Sequence, residues 1–168
     1  WWVYGGFRSG KELKYINEEN RDLTPDELNA EWAHDKLLEL AEKQNQKPFF
    51  LSVGFLRPHT PLIVPQKYFD MYPLDSIKLV NILPRDKDDT FLHMVDQFET
   101  KKRRTRSVEM FENLIASYEN PLEGLKRFTQ AYLACVSAVD DNVGKVISAI
   151  NNSSLMDNTL IILTSDHG

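Results

Sequence analysis

Cysteine is nearly absent from this chain of 168 residues, which contains only Cys135. A single cysteine excludes a framework of internal disulfide bonds, although it does not identify the cellular compartment. An excess of positive charge is also missing, because 25 acidic residues outnumber 20 lysines and arginines and leave a net charge of -5. Nucleic-acid-binding proteins usually carry a basic field, so we expect no nucleic-acid partner.

Long apolar runs are missing as well. No stretch of the sequence approaches the roughly 20 consecutive apolar residues that a membrane-spanning helix needs, so we expect no membrane segment here. Trp1 does not begin a signal peptide, although an internal piece of a longer protein would not show one. Hydrophobic residues still make up 42% of the chain, which is enough to bury the core of one ordinary domain.

Two short apolar runs each lead into a histidine. The first is Phe49–Phe55, which leads to His59, and the second is Thr159–Thr164, which leads to His167. Uninterrupted apolar runs of this length suit strands that are buried on both faces of a parallel sheet. Ligands bind outside the carboxyl ends of such strands, so the pattern predicts a polar site at one edge of a sheet.

Asp166 and His167 follow the second run after Ser165 and can both point at one divalent cation. A carboxylate and a neutral imidazole suit Mn²⁺ or Zn²⁺ better than Ca²⁺ on ligand softness alone, so the two residues do not select the ion. Two ligands are also fewer than a full coordination set. The alternative interpretation is a structural turn, in which Asp166 caps the next element and His167 is merely exposed.

His59 lies between Pro58 and Pro61. The two prolines hold the backbone extended and remove two amide donors, so they present the imidazole ring rigidly. This setting suits a functional histidine. The alternative interpretation is an ordinary loop histidine.

Three segments have the pattern of helices. The first predicted helix begins at Thr24–Glu27, which contains a Thr cap, a proline in the first helical position and a glutamate that closes a capping box. We expect this helix to reach about Glu42. The residues that we expect this helix to bury are Leu28, Trp32, Leu38 and Ala41. A second start signal at Asn120–Glu123 precedes apolar residues at helical spacing for nearly thirty residues. Pro65–Tyr72 predicts a short helix.

The remaining segments predict irregular structure or a turn. We expect Trp1–Asp22 to be largely irregular and Leu83–Asp89 to be a polar turn. The order strand, helices, strand then implies two parallel strands that are joined by a right-handed crossover. That topology would bring His59 and Asp166 to the same edge of one sheet.

Four segments, in order along the chain, carry a family resemblance. They are Phe50–Pro61 with its Arg57-Pro58-His59-Thr60-Pro61 end, Pro65–Leu74, Tyr132–Gly144 and Thr159–Gly168. Together they resemble the type I, formylglycine-dependent sulfatase family, in its iduronate-2-sulfatase-like branch. A single Asp-His-Gly would be weak, whereas four matching segments at plausible separations are a specific signal.

The resemblance implies an α/β fold of the alkaline-phosphatase-like sulfatase type, with a largely parallel central sheet flanked by helices. It implies that residues 1–168 are an internal part of the catalytic domain, without the nucleophile region and the C-terminal part. The implied activity is metal-dependent hydrolysis of a sulfate ester, with a sulfated carbohydrate or a small sulfate ester as substrate. The residues do not identify the location of the protein, and the resemblance suggests the periplasm, secretion or the lysosome.

The resemblance also implies roles for individual residues. Asp166 and His167 would be metal ligands, with calcium as the usual ion and manganese as the alternative, although many relatives have Asn in place of His167. His59 would contact the sulfate ester and protonate the leaving oxygen. Arg57 would bind substrate beside the pocket.

The nucleophile of the family is a formylglycine, which is made from the cysteine of a Cys-x-Pro/Ala-x-Arg motif. Cys135 is followed by Val136–Val139, so that motif is not here, and its apolar helical surroundings predict a small buried residue. The paired aspartates of the family's metal site are missing too. We therefore expect formylglycine outside this chain and expect the 168 residues alone to be inactive.

Two other function classes stay open at this point. A phosphodiesterase or phosphonate hydrolase of the alkaline phosphatase superfamily would share the sheet and the metal pair, and would differ in its nucleophile. A non-catalytic relative could act as a carbohydrate-binding or structural domain. The sequence upstream of these residues would decide among them.

Overall fold

The computed structural model describes residues 13–43, 47–81 and 106–166. The predicted turn Leu83–Asp89 and the candidate ligand His167 lie outside these ranges. The elements in chain order are strands β1 (Tyr15–Asn17) and β2 (Asn20–Arg21), helices α1 (Pro25–Glu42) and α2 (Gln66–Asp70), a 3-10 helix (Leu74–Ser76), and helices α3 (Arg106–Ala116) and α4 (Pro121–Asn151). They belong to two compact units, one within residues 1–68 and 134–168 and one within residues 69–133.

The first described elements, β1 and β2, form an antiparallel hairpin in which Tyr15 lies opposite Arg21. The side-chain oxygen of Asn17 accepts hydrogen bonds from the backbone N–H groups of Glu19 at 3.1 Å and Asn20 at 2.8 Å, which closes the turn. The prediction of a largely irregular chain at Trp1–Asp22 is therefore wrong at Tyr15–Asn17 and Asn20–Arg21, and residues 1–12 of that range lie outside the described residues. Strands of three and two residues are too short to show an alternating pattern in sequence.

Helix α1 begins and ends where the sequence predicts. The hydroxyl of Thr24 accepts a hydrogen bond from the N–H of Glu27 at 3.3 Å, and the Glu27 carboxylate accepts one from the N–H of Thr24 at 2.7 Å. This reciprocal pair is a complete capping box, with Pro25 in the first turn. The prediction of the helix start is confirmed.

The buried face of α1 differs from the prediction. The side chains that the helix buries are Asp26, Ala30, Ala33 and Leu37. Leu28 and Trp32 are 52% and 57% exposed, so the expected core face is wrong, and Ala41 is only partly buried. The buried residues recur at steps of four, three and four, which places them on one face of the helix, and the small alanines on this face allow close packing.

Leu37 joins α1 to the C-terminal half of α4. It forms a buried cluster with Ala149, Ile150 and Leu155, and Ala41 packs against the edge of this cluster. Burying a leucine completely contributes roughly 1.5–3 kcal/mol. The cluster therefore holds α1 against the C-terminal half of α4.

The helices predicted at Pro65–Tyr72 and after Asn120 are both present. Helix α2 covers Gln66–Asp70, and α4 runs for 31 residues from Pro121. The hydroxyl of Tyr68 in α2 donates a hydrogen bond to the carboxylate of Asp141 in α4 at 2.8 Å. Within the described ranges, no helix combines the length and apolar character that crossing a membrane requires.

Neither predicted buried strand pairs with another strand within the described residues, where the β1–β2 hairpin is the sheet that forms. Phe50 is 94% exposed and Leu160 is 85% exposed. The expected burial of these two residues is therefore not seen among the described residues, and a central parallel sheet is not confirmed. A strand is buried only where other strands and helices cover its two faces, and the described residues do not supply that cover.

Residues 69–133 form a unit with its own close contacts. The side-chain amide of Gln130 in α4 donates a hydrogen bond to the carbonyl of Tyr72 at 2.7 Å. Gly124 in the first part of α4 lies so close to Tyr118 that an added Cβ atom would be 2.9 Å from the ring. The absence of a side chain at this position is what allows the close approach.

Candidate active site

His59 lies in a turn, so the expectation that Pro58 and Pro61 hold the backbone extended around it is wrong. Its backbone N–H donates a hydrogen bond to the carbonyl of Leu56 at 2.9 Å, and the side chain is exposed. The peptide bonds before Pro58 and Pro61 are both cis. The turn therefore presents the histidine at the surface of its unit.

The hydrogen bonding of His59 assigns its two ring nitrogens. Nδ1 contacts the backbone carbonyl oxygen of Thr60. A carbonyl oxygen can only accept, so Nδ1 carries the hydrogen of the neutral imidazole. Nε2 is then the nitrogen that takes up or gives away the second proton, which is the arrangement that a general acid or base requires.

Arg57 lies inside the same turn, where only 7% of it is exposed. The Nε–H group donates a hydrogen bond to the carbonyl of Ile63 at 3.0 Å, and Nη1 donates one to the carbonyl of His59 at 3.5 Å. The guanidinium thus connects the two sides of the turn from within. The structure brings Arg57 and His59 together, and the binding of substrate by Arg57 stays a prediction.

Asp26 contacts this segment from α1. Its carboxylate accepts the backbone N–H of Leu56 at 2.8 Å and the backbone N–H of Arg57 at 2.9 Å, and only 3% of the residue is exposed. One turn further along α1, the side-chain amide of Asn29 donates to the carbonyl of Gly54 at 3.0 Å. The N-terminal end of α1 therefore holds the residues that immediately precede the turn.

Sequence reasoning missed this role of Asp26. An aspartate in the first turn of a helix is common, because it complements the helix dipole there. The partners of Asp26 lie 30 and 31 residues further along the chain, and no spacing rule connects them. Only the packing of the segment on α1 shows the contact.

Cys135 lies in α4 and is fully buried. Burial raises the pKa of its thiol to about 11, while the positive charge of Arg57 lowers this pKa and the negative charge of Asp26 raises it further. A thiol with such a pKa stays protonated at neutral pH and is a poor nucleophile. The prediction of a small buried residue is confirmed.

Asp166 is exposed at the end of the described chain. Its carboxylate is the kind of hard oxygen ligand that Ca²⁺ prefers, but calcium takes six to eight oxygens. No cluster of three or more His, Cys, Asp or Glu side chains that could hold a metal ion occurs in residues 13–43, 47–81 and 106–166. The donor chemistry of Asp166 thus fits one ligand of a larger set.

A family comparison bears directly on these residues. The family model described as Sulfatase matches residues 5–168, which include the turn around His59 and the end at Asp166. The chain belongs to the sulfatase family. Membership implies the α/β fold of the alkaline phosphatase superfamily. The elements described for this chain are mainly helices of such a fold.

Individual relatives agree with this assignment. A sulfatase of Formosa agariphila is 42% identical over 99% of this chain, and 32% of that protein is covered. Human iduronate 2-sulfatase is 32% identical over 86% of this chain, with 26% of its own length covered. Choline-sulfatase of Rhizobium meliloti is 28% identical over the whole chain, with 31% of its own length covered.

The chain spans about a third or less of the length of these curated relatives. No solved structure matches it.

Proposed function

We propose that the complete protein hydrolyses a sulfate ester and that His59 is the general acid of the reaction. The observation that carries this proposal is the exposed imidazole of His59, whose Nδ1 is held by the Thr60 carbonyl, in a chain of the sulfatase family. Nε2 is thereby the nitrogen that exchanges its proton with a ligand.

Hydrolysis of a sulfate ester breaks the bond between sulfur and the ester oxygen. The departing oxygen gains negative charge in the transition state, so a proton that is delivered at that moment lowers the barrier. His59 in its protonated form would donate from Nε2 to this oxygen and become the neutral tautomer that the Thr60 contact favours. A positioned general acid typically contributes about 10²- to 10⁴-fold to the rate.

We propose that Arg57 helps to bind the anionic sulfate group by placing positive charge beside His59. Its guanidinium is buried and makes hydrogen bonds to the carbonyls of His59 and Ile63, so its position is well defined. A charge in a partly buried site is less screened by water and salt than one at the surface. The positive charge of Arg57 would therefore attract an anionic group that lies beside His59.

Asp166 and His167 would hold a divalent metal, with calcium as the usual ion of the family. When bound, such an ion supplies positive charge that stabilises a negatively charged sulfate group. The formylglycine of the family would come from residues outside this chain. We also propose that Phe49–Phe55 and Thr159–Thr164 become parallel strands of the central sheet in the complete domain.

The substrate class is a sulfate ester, with a sulfated carbohydrate or a small ester as its members. The named activities of the relatives include both iduronate 2-sulfatase and choline-sulfatase, so family membership alone does not select one substrate. Phosphate-ester or phosphonate hydrolysis and a non-catalytic binding role are not favoured, since most of the named relatives are sulfatases.

The test is His59→Ala in the complete protein, with 4-nitrophenyl sulfate and phenyl sulfate as probes. We expect kcat to fall by about 10²- to 10⁴-fold while KM changes little, because a general acid acts on charge that develops only in the transition state. The loss should be smaller for 4-nitrophenyl sulfate, whose leaving group needs less help from a proton.

His34→Ala is the matched control, since His34 lies on α1 and its ring contacts only the neighbouring carboxylate of Asp35 among the hydrogen bonds described for it, at 3.1 Å. It should keep the activity of the parent protein. A change in KM alone for His59→Ala would make His59 a binding residue and would contradict its role as general acid.

A further inference from the structure

We propose that Asp26 is a positioning residue that orients His59 for proton transfer. This inference rests on the proposed function, because it assigns Asp26 a role in the reaction only through His59. No pattern in the sequence points to it.

The carboxylate of Asp26 binds two neighbouring backbone groups at once. The two oxygens of Asp26 accept two consecutive backbone N–H groups, those of Leu56 and Arg57, at 2.8 and 2.9 Å. Two bonds to adjacent N–H groups define the orientation of the chain as well as its distance from α1. A single hydrogen bond would leave the chain segment free to rotate about that bond.

Leu56 and Arg57 are in turn hydrogen-bonded to His59. The carbonyl of Leu56 accepts the backbone N–H of His59 at 2.9 Å, and the guanidinium of Arg57 donates to the carbonyl of His59. Both residues that Asp26 holds therefore make a direct hydrogen bond to the backbone of His59. Asp26 is thus connected to His59 through two single residues, Leu56 and Arg57.

Helix α1, which carries Asp26, is a rigid support. Asp26 lies in the first turn of α1, where the capping box of Thr24 and Glu27 fixes the helix start. The same helix is anchored by Leu37, which is 2% exposed. Catalytic groups act best when the residues behind them lie on rigid elements, and a displacement of about 1 Å can cost about 100-fold in rate.

Asp26→Asn in the complete protein is the central variant. Its side chain keeps the size of aspartate, but its amide nitrogen is a donor and cannot accept a backbone N–H. One of the two hydrogen bonds is therefore lost while the volume is kept. We expect kcat to fall by about 10- to 100-fold with little change in KM, and we expect the loss to be larger for phenyl sulfate than for 4-nitrophenyl sulfate.

A double-mutant cycle with His59→Ala separates positioning from a general effect on the fold. Residues that act through one another have non-additive effects, so Asp26→Asn should cause almost no further loss of kcat when His59 is already alanine. Asn29→Ala removes only the contact to Gly54 and should cause a smaller loss in the same direction.

Asp35→Asn is the matched control, because it makes the same chemical change at an exposed aspartate of the same helix. Asp35 contacts His34 and not the residues before His59 in the contacts described for it, so this variant should leave kcat unchanged. An equal loss of kcat in Asp35→Asn would overturn the inference, because it would show that the loss does not depend on the contacts of Asp26.

Additive losses in the cycle would also overturn it. If His59→Ala lowers kcat and Asp26→Asn does not, the positioning role fails while the role of His59 stands. If His59→Ala leaves kcat unchanged, the proposed general acid fails, and the inference about Asp26 falls with it.

Discussion

The guanidinium of Arg21 binds the carboxylate of Glu27 through two parallel hydrogen bonds of 2.8 and 2.7 Å. Arg21 belongs to strand β2, and Glu27 closes the capping box at the start of α1. The side chains are only 9% and 15% exposed. This pair therefore connects the hairpin to the helix that supports the candidate active site.

The Arg21–Glu27 pair predicts a pH-dependent contribution to stability. Burial by itself would raise the pKa of Glu27, but hydrogen bonds from Arg21 and from the N–H of Thr24 outweigh it and hold this pKa below the ordinary 4.5. A carboxylate with a lowered pKa in the folded state stabilises the protein above pH 4.5 and loses this effect as the pH falls through the folded pKa.

We expect Glu27→Gln to lower the free energy of unfolding by about 1–3 kcal/mol near neutral pH, as measured by urea denaturation. The difference from the parent protein should shrink in acid. Asp35→Asn is the control, since Asp35 has an 81% exposed side chain and should change stability by less than about 0.5 kcal/mol. A pH-independent difference for Glu27→Gln would contradict the assigned ion pair.

Two glycines of α4 should respond to alanine in opposite directions. A Cβ atom at Gly124 would lie 2.9 Å from the Tyr118 ring and 3.0 Å from the carbonyl oxygen of Leu114, so Gly124→Ala should destabilise the protein by about 1–3 kcal/mol. At Gly144 nothing lies within 4 Å of the added atom, and Gly144→Ala should stabilise the helix by about 0.5–1 kcal/mol. Thermal unfolding of both variants, compared at the same pH, tests the opposite signs. Equal shifts would mean that the close approach at Gly124 is not present in solution.

The assignment of the buried face of α1 can be tested with two leucines. Leu37 is 2% exposed, so Leu37→Ala should cost about 2–5 kcal/mol of stability. Leu28 is 52% exposed, and Leu28→Ala should cost less than about 1 kcal/mol. Denaturant midpoints of the two variants provide the comparison. A larger cost at Leu28 would support the core face that we expected from the sequence.

Cys135 should be unreactive in the folded protein. With a pKa of about 11, only about 0.1% of its thiol is ionised at pH 8, and its full burial also blocks access. We expect mass spectrometry of the Cys135 peptide to show almost no modification by iodoacetamide until denaturant is added. Rapid modification of this peptide without denaturant would show that α4 opens or that the thiol is exposed.

Asp166→Ala should remove both bound divalent metal and activity from the complete protein while the fold stays largely intact. The loss of one anionic ligand leaves the charge of the cation under-compensated, so its affinity should fall steeply. Elemental analysis of the purified variants measures the metal, and Asp157→Ala, at an exposed carboxylate nearby in sequence, is the control.

His167→Asn should be much milder, because the side-chain oxygen of asparagine can still bind a cation such as calcium. Retention of stoichiometric calcium or manganese by Asp166→Ala would reduce Asp166 to the capping residue of a turn. Complete loss of metal in His167→Asn would instead indicate that the site depends on an imidazole and prefers a softer ion than calcium.

The starts of α1 and α4 and the position of α2 could be predicted because their signals are local. The Thr24 cap, Pro25 and Glu27 interact within one turn, so residues that are neighbours in sequence determine where the helix begins. The turn at His59 was not predicted, because Pro58 and Pro61 indicate an extended backbone, whereas the N–H of His59 donates to the carbonyl of Leu56 and closes a turn.

The sequence by itself therefore determined the starts of α1 and α4 and the family, and it indicated His59 as the candidate general acid. Only the tertiary structure decided that α1 buries Leu37 rather than Leu28, that Arg57 turns inward, and that Asp26 holds the segment before His59. The contacts of Asp26 and Leu37 join partners that are distant in sequence, up to 31 residues away for Asp26 and over a hundred for Leu37. The guanidinium of Arg57 donates hydrogen bonds to carbonyls two and six positions away, and its burial depends on the folded turn. Helical periodicity allows more than one face to be buried, and long-range packing selects the face that fits.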